Sequence, residues 1–279
     1  MKKTLQVDLD SDGLGALAAA NLLGHLCANA TAHEAQKRVA LARYNRSVSR
    51  IAHKTERAAR KLELCILDET ARGIENLPSS NNDEELIDAL ELVFYAAAEH
   101  VDDLKAIARE LACMSASNPE KAAARLDDLL KPVRKRISLI TNKIKHSQWR
   151  LSLVRQGFTL GDVPLVLHGI AVTSLSEERV GIEVLPPDNA RVIALPSLLW
   201  SVLEFLYLAS EALCIHLDPK EQQMSVVGAT PVTAFASATA ALARLPLYSF
   251  EEEHTHLRVR VVVTAAHDEA DDKLHSGLY

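Results

Sequence analysis

Aromatic residues make up only 4% of the chain, and they include just 2 Trp. Their scarcity, set against abundant Ala and Leu, favours helix over sheet. Cysteine is equally sparse: Cys27, Cys65, Cys113 and Cys214 lie far apart, none belongs to a CxxC pair, and none has a His at metal-ligand spacing. That pattern excludes a disulfide scaffold or a zinc knuckle and reads as four reduced, mostly buried thiols. No Gly-rich phosphate loop, no Gly-x-Ser-x-Gly elbow and no Cys/His nucleophile signature occurs, so the common nucleotide-dependent and hydrolase classes lose support. A secretory leader is not expected, because Asp8, Asp10 and Asp12 stand where the apolar run belongs. Long apolar runs are also missing. The nearest, Leu195 to Leu217, is interrupted by Glu204 and Glu211 and reads as a buried helix rather than a membrane span. The expectation is a soluble cytoplasmic protein with no membrane contact.

What is present is core material and unevenly spread charge. At 279 residues with 48% hydrophobic side chains, the chain can form one large domain or two small ones. The net charge of −6 hides strong alternation. Residues 34–72 hold ten Lys and Arg against five acids, and residues 121–155 hold ten against two. Residues 73–120 hold two against eleven, and residues 156–279 hold seven against sixteen. Two basic segments therefore alternate with two acidic regions, and positive charge can form a local patch on an acidic protein.

The spacing predicts a short helix from Leu14 to Leu26, then a long one from about Thr31 to Gly73. Another follows, capped by Asp83, with Leu86, Leu90, Val93, Ala97, Leu104, Ile107 and Leu111 on one face. Asn118 caps a basic helix with Pro119 at its first position, running to about Val154. Three short β-branched runs, 163–174, 179–185 and 190–194, predict a small antiparallel insertion. Ser197 caps the apolar helix ending near His216; a helix from Pro231 to Leu245 and a strand from His256 to Ala265 follow. The expected fold class is mainly α: a helical bundle with a small antiparallel β insertion and a mixed α/β C-terminal segment. Its expected parts are an N-terminal helical region at 1–75, a bundle at 76–217 with the β insertion at 163–194, and a C-terminal helix and strand with a frayed tail at 218–279.

The segment from Arg134 to Arg150 carries the chemistry. With Ile137 at zero and 100° per residue, Leu126, Leu130, Val133, Ile140, Ile144 and Leu151 fall on one face, while Lys135, Asn142, His146 and Trp149 point the other way. Asn and His one turn apart, a titratable imidazole, and an exposed Trp that wants a partner to cover it suggest contact or catalysis. The plain alternative is the solvated back of an amphipathic helix, and the residues leave both open.

This helical order, with Asn142 four residues before His146 and a later closing helix, resembles the HEPN superfamily over about residues 83–217. Many HEPN proteins are metal-independent ribonucleases of defence and toxin systems that dimerise around paired Arg and His motifs. The resemblance implies a HEPN-like RNA-binding or ribonuclease-type component of a bacterial defence or toxin system, a homodimer or part of a larger complex, with no cofactor and no metal. His146 would be the general base and Asn142 would orient it, with Lys143, Lys145, Arg150, Arg136 and Lys135 as phosphate contacts and Trp149 as a partner contact. Thr141 stands where the motif has Arg, which favours an inactive, contact-making bundle over one that cleaves. A second Arg–His spacing exists at Arg46 and His53. The rival expectation is a non-enzymatic helical scaffold or adaptor subunit, in which the acidic 73–120 segment matches a basic one electrostatically.

Two further likenesses fail on their residues. The run from Asp8 to Gly13 resembles the start of an EF-hand loop, but Ala19 holds the twelfth position, and Val7 to Leu14 resembles the opening motif of DHH-type phosphoesterases, but no downstream Asp-His-His follows. His254 and His256, with His267 or His275, have no second ligand cluster at metal spacing.

Overall fold

The computed structural model describes residues 17–28, 34–72, 81–114, 117–145, 149–160, 163–175, 180–185, 190–217, 233–253 and 256–261. Four helices come first: α1 (Ala18–Ala28), α2 (Glu34–Arg72), α3 (Asn81–Met114) and α4 (Pro119–Lys145). Strands β1 (Trp149–Leu160), β2 (Val163–Leu175), β3 (Val180–Ile182) and β4 (Ile193–Ala194) form a sheet before α5 (Leu195–Leu217) and α6 (Thr233–Ala243). A hairpin of β5 (Tyr248–Glu253) and β6 (His256–Val261) closes the described chain. The architecture is mainly helical with a small antiparallel sheet, as composition and periodicity imply.

The long helices pack as antiparallel neighbours. Pairs Arg43–Glu110, Arg50–Asp103 and Lys61–Glu85 run in opposite chain directions along α2 and α3, and Arg109–Glu120 and Thr141–Phe94 do the same for α3 and α4. Their apolar stripes meet in one core: Tyr44, Val48, Ile51 and Leu62 from α2, Leu86, Leu90, Leu104 and Ile107 from α3, and Leu126, Leu130 and Ile140 from α4. Each fully buried Leu or Ile side chain contributes about 1.5–3 kcal/mol of transfer free energy. Helix α5 is long and apolar enough to cross a membrane, but in this fold Leu198, Leu199, Val202, Leu206 and Leu213 are buried in the same core. Asn118 caps α4 as its sequence implies, its Oδ1 accepting the Lys121 N–H at 3.0 Å. Helices α3 and α5 begin two residues before the expected caps: Asp83 lies in the first turn of α3 facing Arg155, and Ser197 Oγ donates to the carbonyl of Tyr248 at 2.9 Å.

Helix α4 ends at Lys145, about nine residues before the expected end, and Trp149 to Leu160 is the first strand of the sheet. Leu151 lies seven residues after Ile144, so it continues a helical stripe as well as it starts a strand alternation with Leu153 and Arg155. β1 pairs β2 along its whole length, Trp149 opposite Ser174 and Leu160 opposite Val163. Both β3 and β4 pair the other edge of β2. One sheet face lays Leu151, Ile170 and Val172 on the helical core. The other carries Leu167 and Ala171, which with Val192, Ala194, Tyr248 and Phe250 make a smaller second core under β5.

Gly169 sits where β4 and β5 crowd β2. A methyl added there would stand 2.6 Å from Val192 Cγ1 and 2.7 Å from Phe250 Cε2. Gly169→Ala is therefore expected to destabilise the fold by about 1–3 kcal/mol through overpacking of the second core. A urea melt with an unchanged midpoint would show that the hairpin shifts to admit the methyl.

Candidate functional site

The sequence places a polar ridge on α4, and the structure divides it. Lys135 and Asn142 are exposed, as the helical wheel demands, and so is Lys145 on the flank, while Arg136 is half-buried and engaged with a partner. His146, the expected base, lies outside the described residues. Thr141 faces inward: it is 1% exposed, and its Oγ1 donates to the carbonyl of Phe94 at 3.3 Å. At 40° from Ile137 on the wheel it belongs to the core stripe, so the motif position held by Arg in HEPN ribonucleases points away from any cleft on this helix.

Trp149 and Lys143 also depart from expectation. Trp149 is the first residue of β1 and packs half-buried against the main core, so no partner is needed to shield it. Lys143 Nζ stands 4.0 Å above the Trp149 ring centroid and 2.9 Å from Glu183 Oε2, a half-buried pair. An ammonium held by both a carboxylate and an indole face is not a free phosphate contact. Lys145 Nζ lies 5.8 Å from the Tyr95 ring, and Arg150 is exposed on β1. Arg46 and His53 are both exposed on α2.

The strongest constellation is one that sequence spacing does not reveal. Arg155 on β1 and His168 on β2 are cross-strand partners on the face toward the bundle. There they meet Glu69 near the end of α2 and Asp83 in the first turn of α3. Arg155 Nε donates to Glu69 Oε1 at 2.7 Å, and its terminal nitrogen binds Asp83 Oδ1. His168 Nε2 is 2.9 Å from Glu69 Oε2, though neither ring nitrogen has an aligned hydrogen bond. Tyr248 pins the same strand position, accepting the His168 N–H at 2.6 Å and donating to the His168 carbonyl at 2.7 Å. Burial, followed by the nearby Glu69 and Asp83 charges, pushes the Cys65 thiol up to about 11, so it is no nucleophile at neutral pH.

The chemistry of this cluster is that of a clamp. One guanidinium lies between two carboxylates and joins them, and no group of three or more His, Cys, Asp and Glu able to hold a metal ion occurs among the described residues. The chain matches no family model, no curated protein and no solved structure.

The fate of the basic segments completes the geometry. The cations on the α3 side of α2 are taken by acids of α3: Arg43 by Asp103 and Glu110, Arg50 by Glu99 and Asp103, and Lys61 by Glu85. Within and around α4, Arg134 pairs Asp127 and Lys131 pairs Asp128. Much of the alternating charge in the sequence is thus complementary between neighbouring helices.

Proposed function

We propose that this chain is a non-enzymatic helical adaptor, a bundle that assembles with other protein subunits rather than transforming a substrate. The observation that supports this reading most is the electrostatic matching of α2 against α3, which engages the basic residues on the α3 side of α2. Thr141, buried where a ribonuclease motif needs a cation, and Lys143, held by Glu183 and Trp149, support it further.

One observation favours a second reading, a HEPN-like bundle that binds RNA as a dimer in a defence or toxin system. Lys135 and Lys145 on α4, the helix that carries Asn142, and Arg150 on β1 are exposed and make no ion pair among the described residues. Phosphate contacts would make RNA affinity fall steeply with salt. The adaptor reading expects no such binding, no cleavage of mixed cellular RNA without metal by wild type or by His146→Ala, and migration in native extract as an assembly larger than the 30.5 kDa chain. Metal-free cleavage that His146→Ala abolishes would replace the adaptor with the ribonuclease.

A further inference from the structure

Helix α2 presents a second face that the bundle does not use. Advancing 100° per residue, the buried positions Tyr44, Val48, Ile51 and Leu62 define the core side, and a stripe from Ala35 to Ala71 lies opposite. The stripe spans about 54 Å at 1.5 Å per residue. It is aliphatic at both ends and carries two arginines between, with Val39 near the start, Arg46 and Arg57 either side of His53 in the middle, and Leu64 and Leu67 near the end. No carboxylate occupies it.

Two observations set this face apart from an ordinary solvated helix back. Val39, Leu64 and Leu67, at 53%, 60% and 61% exposure, are the three most exposed large hydrophobic side chains among the described residues, and all three lie on the stripe. The acids beside it are already engaged: Glu56 by Arg60, and Glu63 by Arg244 at 2.9 Å. Arg46 and Arg57 make no ion pair among the described residues.

We propose that this stripe is the docking surface for an acidic amphipathic helix of a partner protein, aliphatic at its ends and carboxylate-rich at its centre. The proposal names the partner class for the adaptor reading and rests on it. The adjoining flank of α2 already shows the chemistry, since Arg43, Arg50 and Lys61 receive the acidic helix α3 through the same kind of pair. Charge complementarity selects this occupant over two others. A nucleic-acid backbone uses cations along its whole track and gains little from aliphatic ends. A second copy laid antiparallel would match the aliphatic ends but oppose Arg46 with Arg60 and leave the arginines of both copies facing each other.

The test uses the intact chain and a fluorescent synthetic helix with Leu on the contact face of its terminal heptads and Glu on that of its central heptads. Fluorescence anisotropy is expected to show binding that weakens at least about tenfold in Leu64→Gln with Leu67→Gln, and at least about tenfold in Arg46→Glu with Arg57→Glu. The arginine pair variant is also expected to flatten the salt dependence, and a Lys-for-Glu peptide is expected not to bind. Circular dichroism melts matching wild type establish that these exposed substitutions leave the fold intact. Equal binding by the variants, equal binding of the Lys peptide, displacement by a uridine oligomer insensitive to Leu64 and Leu67, or self-association lost in the leucine variant without peptide binding would each overturn the proposal. A native assembly that survives both variants overturns the stripe while leaving the adaptor reading in place.

Discussion

Replacing Arg155 by Met is expected to lower the stability of the whole chain by about 3–5 kcal/mol, the range for breaking a buried ion pair by removing one partner. The reason is what remains. Glu69 and Asp83, each with a side chain only 11% exposed, would lose the guanidinium that joins them. Met has nearly the length of Arg, so the loss reports charge more than volume. The effect should reach beyond the cluster, because Arg155 joins β1 to the end of α2 and the start of α3. Adding Glu69→Gln and Asp83→Asn to the Met variant is expected to recover most of the loss, since it removes the orphaned charges rather than restoring the pair. Chemical denaturation followed by circular dichroism measures all three proteins. A Met variant within about 0.5 kcal/mol of wild type, the scale of an ordinary surface substitution, would show that water already screens the cluster.

Helix α2 was legible almost to the residue, because a 39-residue run of apolar positions at three- and four-residue spacing has no competing explanation. The start of the sheet was not. Leu151 fits both periods, and Arg155 counted as one more cation of a basic helix until the strand assigned it a side. A trace of the cluster does exist in the sequence. Arg155 stands on the same parity as Leu151 and Leu153, and His168 interrupts the apolar run of β2, so each is a polar residue placed where a strand faces a core. What no local pattern supplies is the partner. Glu69 is 86 residues from Arg155 and Asp83 is 72, separations that only the packed topology closes. Strand β5 was not legible for a different reason: half of Tyr248–Glu253 is three consecutive Glu, which carry no apolar alternation.

The second large effect concerns acid. His100 of α3 is fully buried between α2 and α5, 5.9 Å from the Tyr44 ring and 6.1 Å from Phe205 by centroids, with Nδ1 at 2.6 Å from Ser47 Oγ. Burial first, and the Arg50 charge second, push its pKa down to about 3. An unfolded His takes up a proton near pH 6.5. The unfolded state therefore binds more protons than the folded state as pH falls from about 6.5 towards 3, and folding stability drops over that window. Above pH 6.5 both states are neutral at this position and its contribution is constant. The slope is expected to approach about 1.4 kcal/mol per pH unit once the unfolded imidazole is charged. His216, whose pKa burial and then Arg125 also lower, adds to the same slope in any protein that keeps it. His100→Gln isolates the first term, because Gln is neutral throughout and can still hydrogen-bond Ser47. Denaturation midpoints of the two proteins, converted to free energies between pH 7 and pH 4.5, are expected to diverge below pH 6.5, wild type losing stability faster. Parallel curves would mean that the folded protein admits the proton, and that the pocket around His100 opens to water well above pH 3.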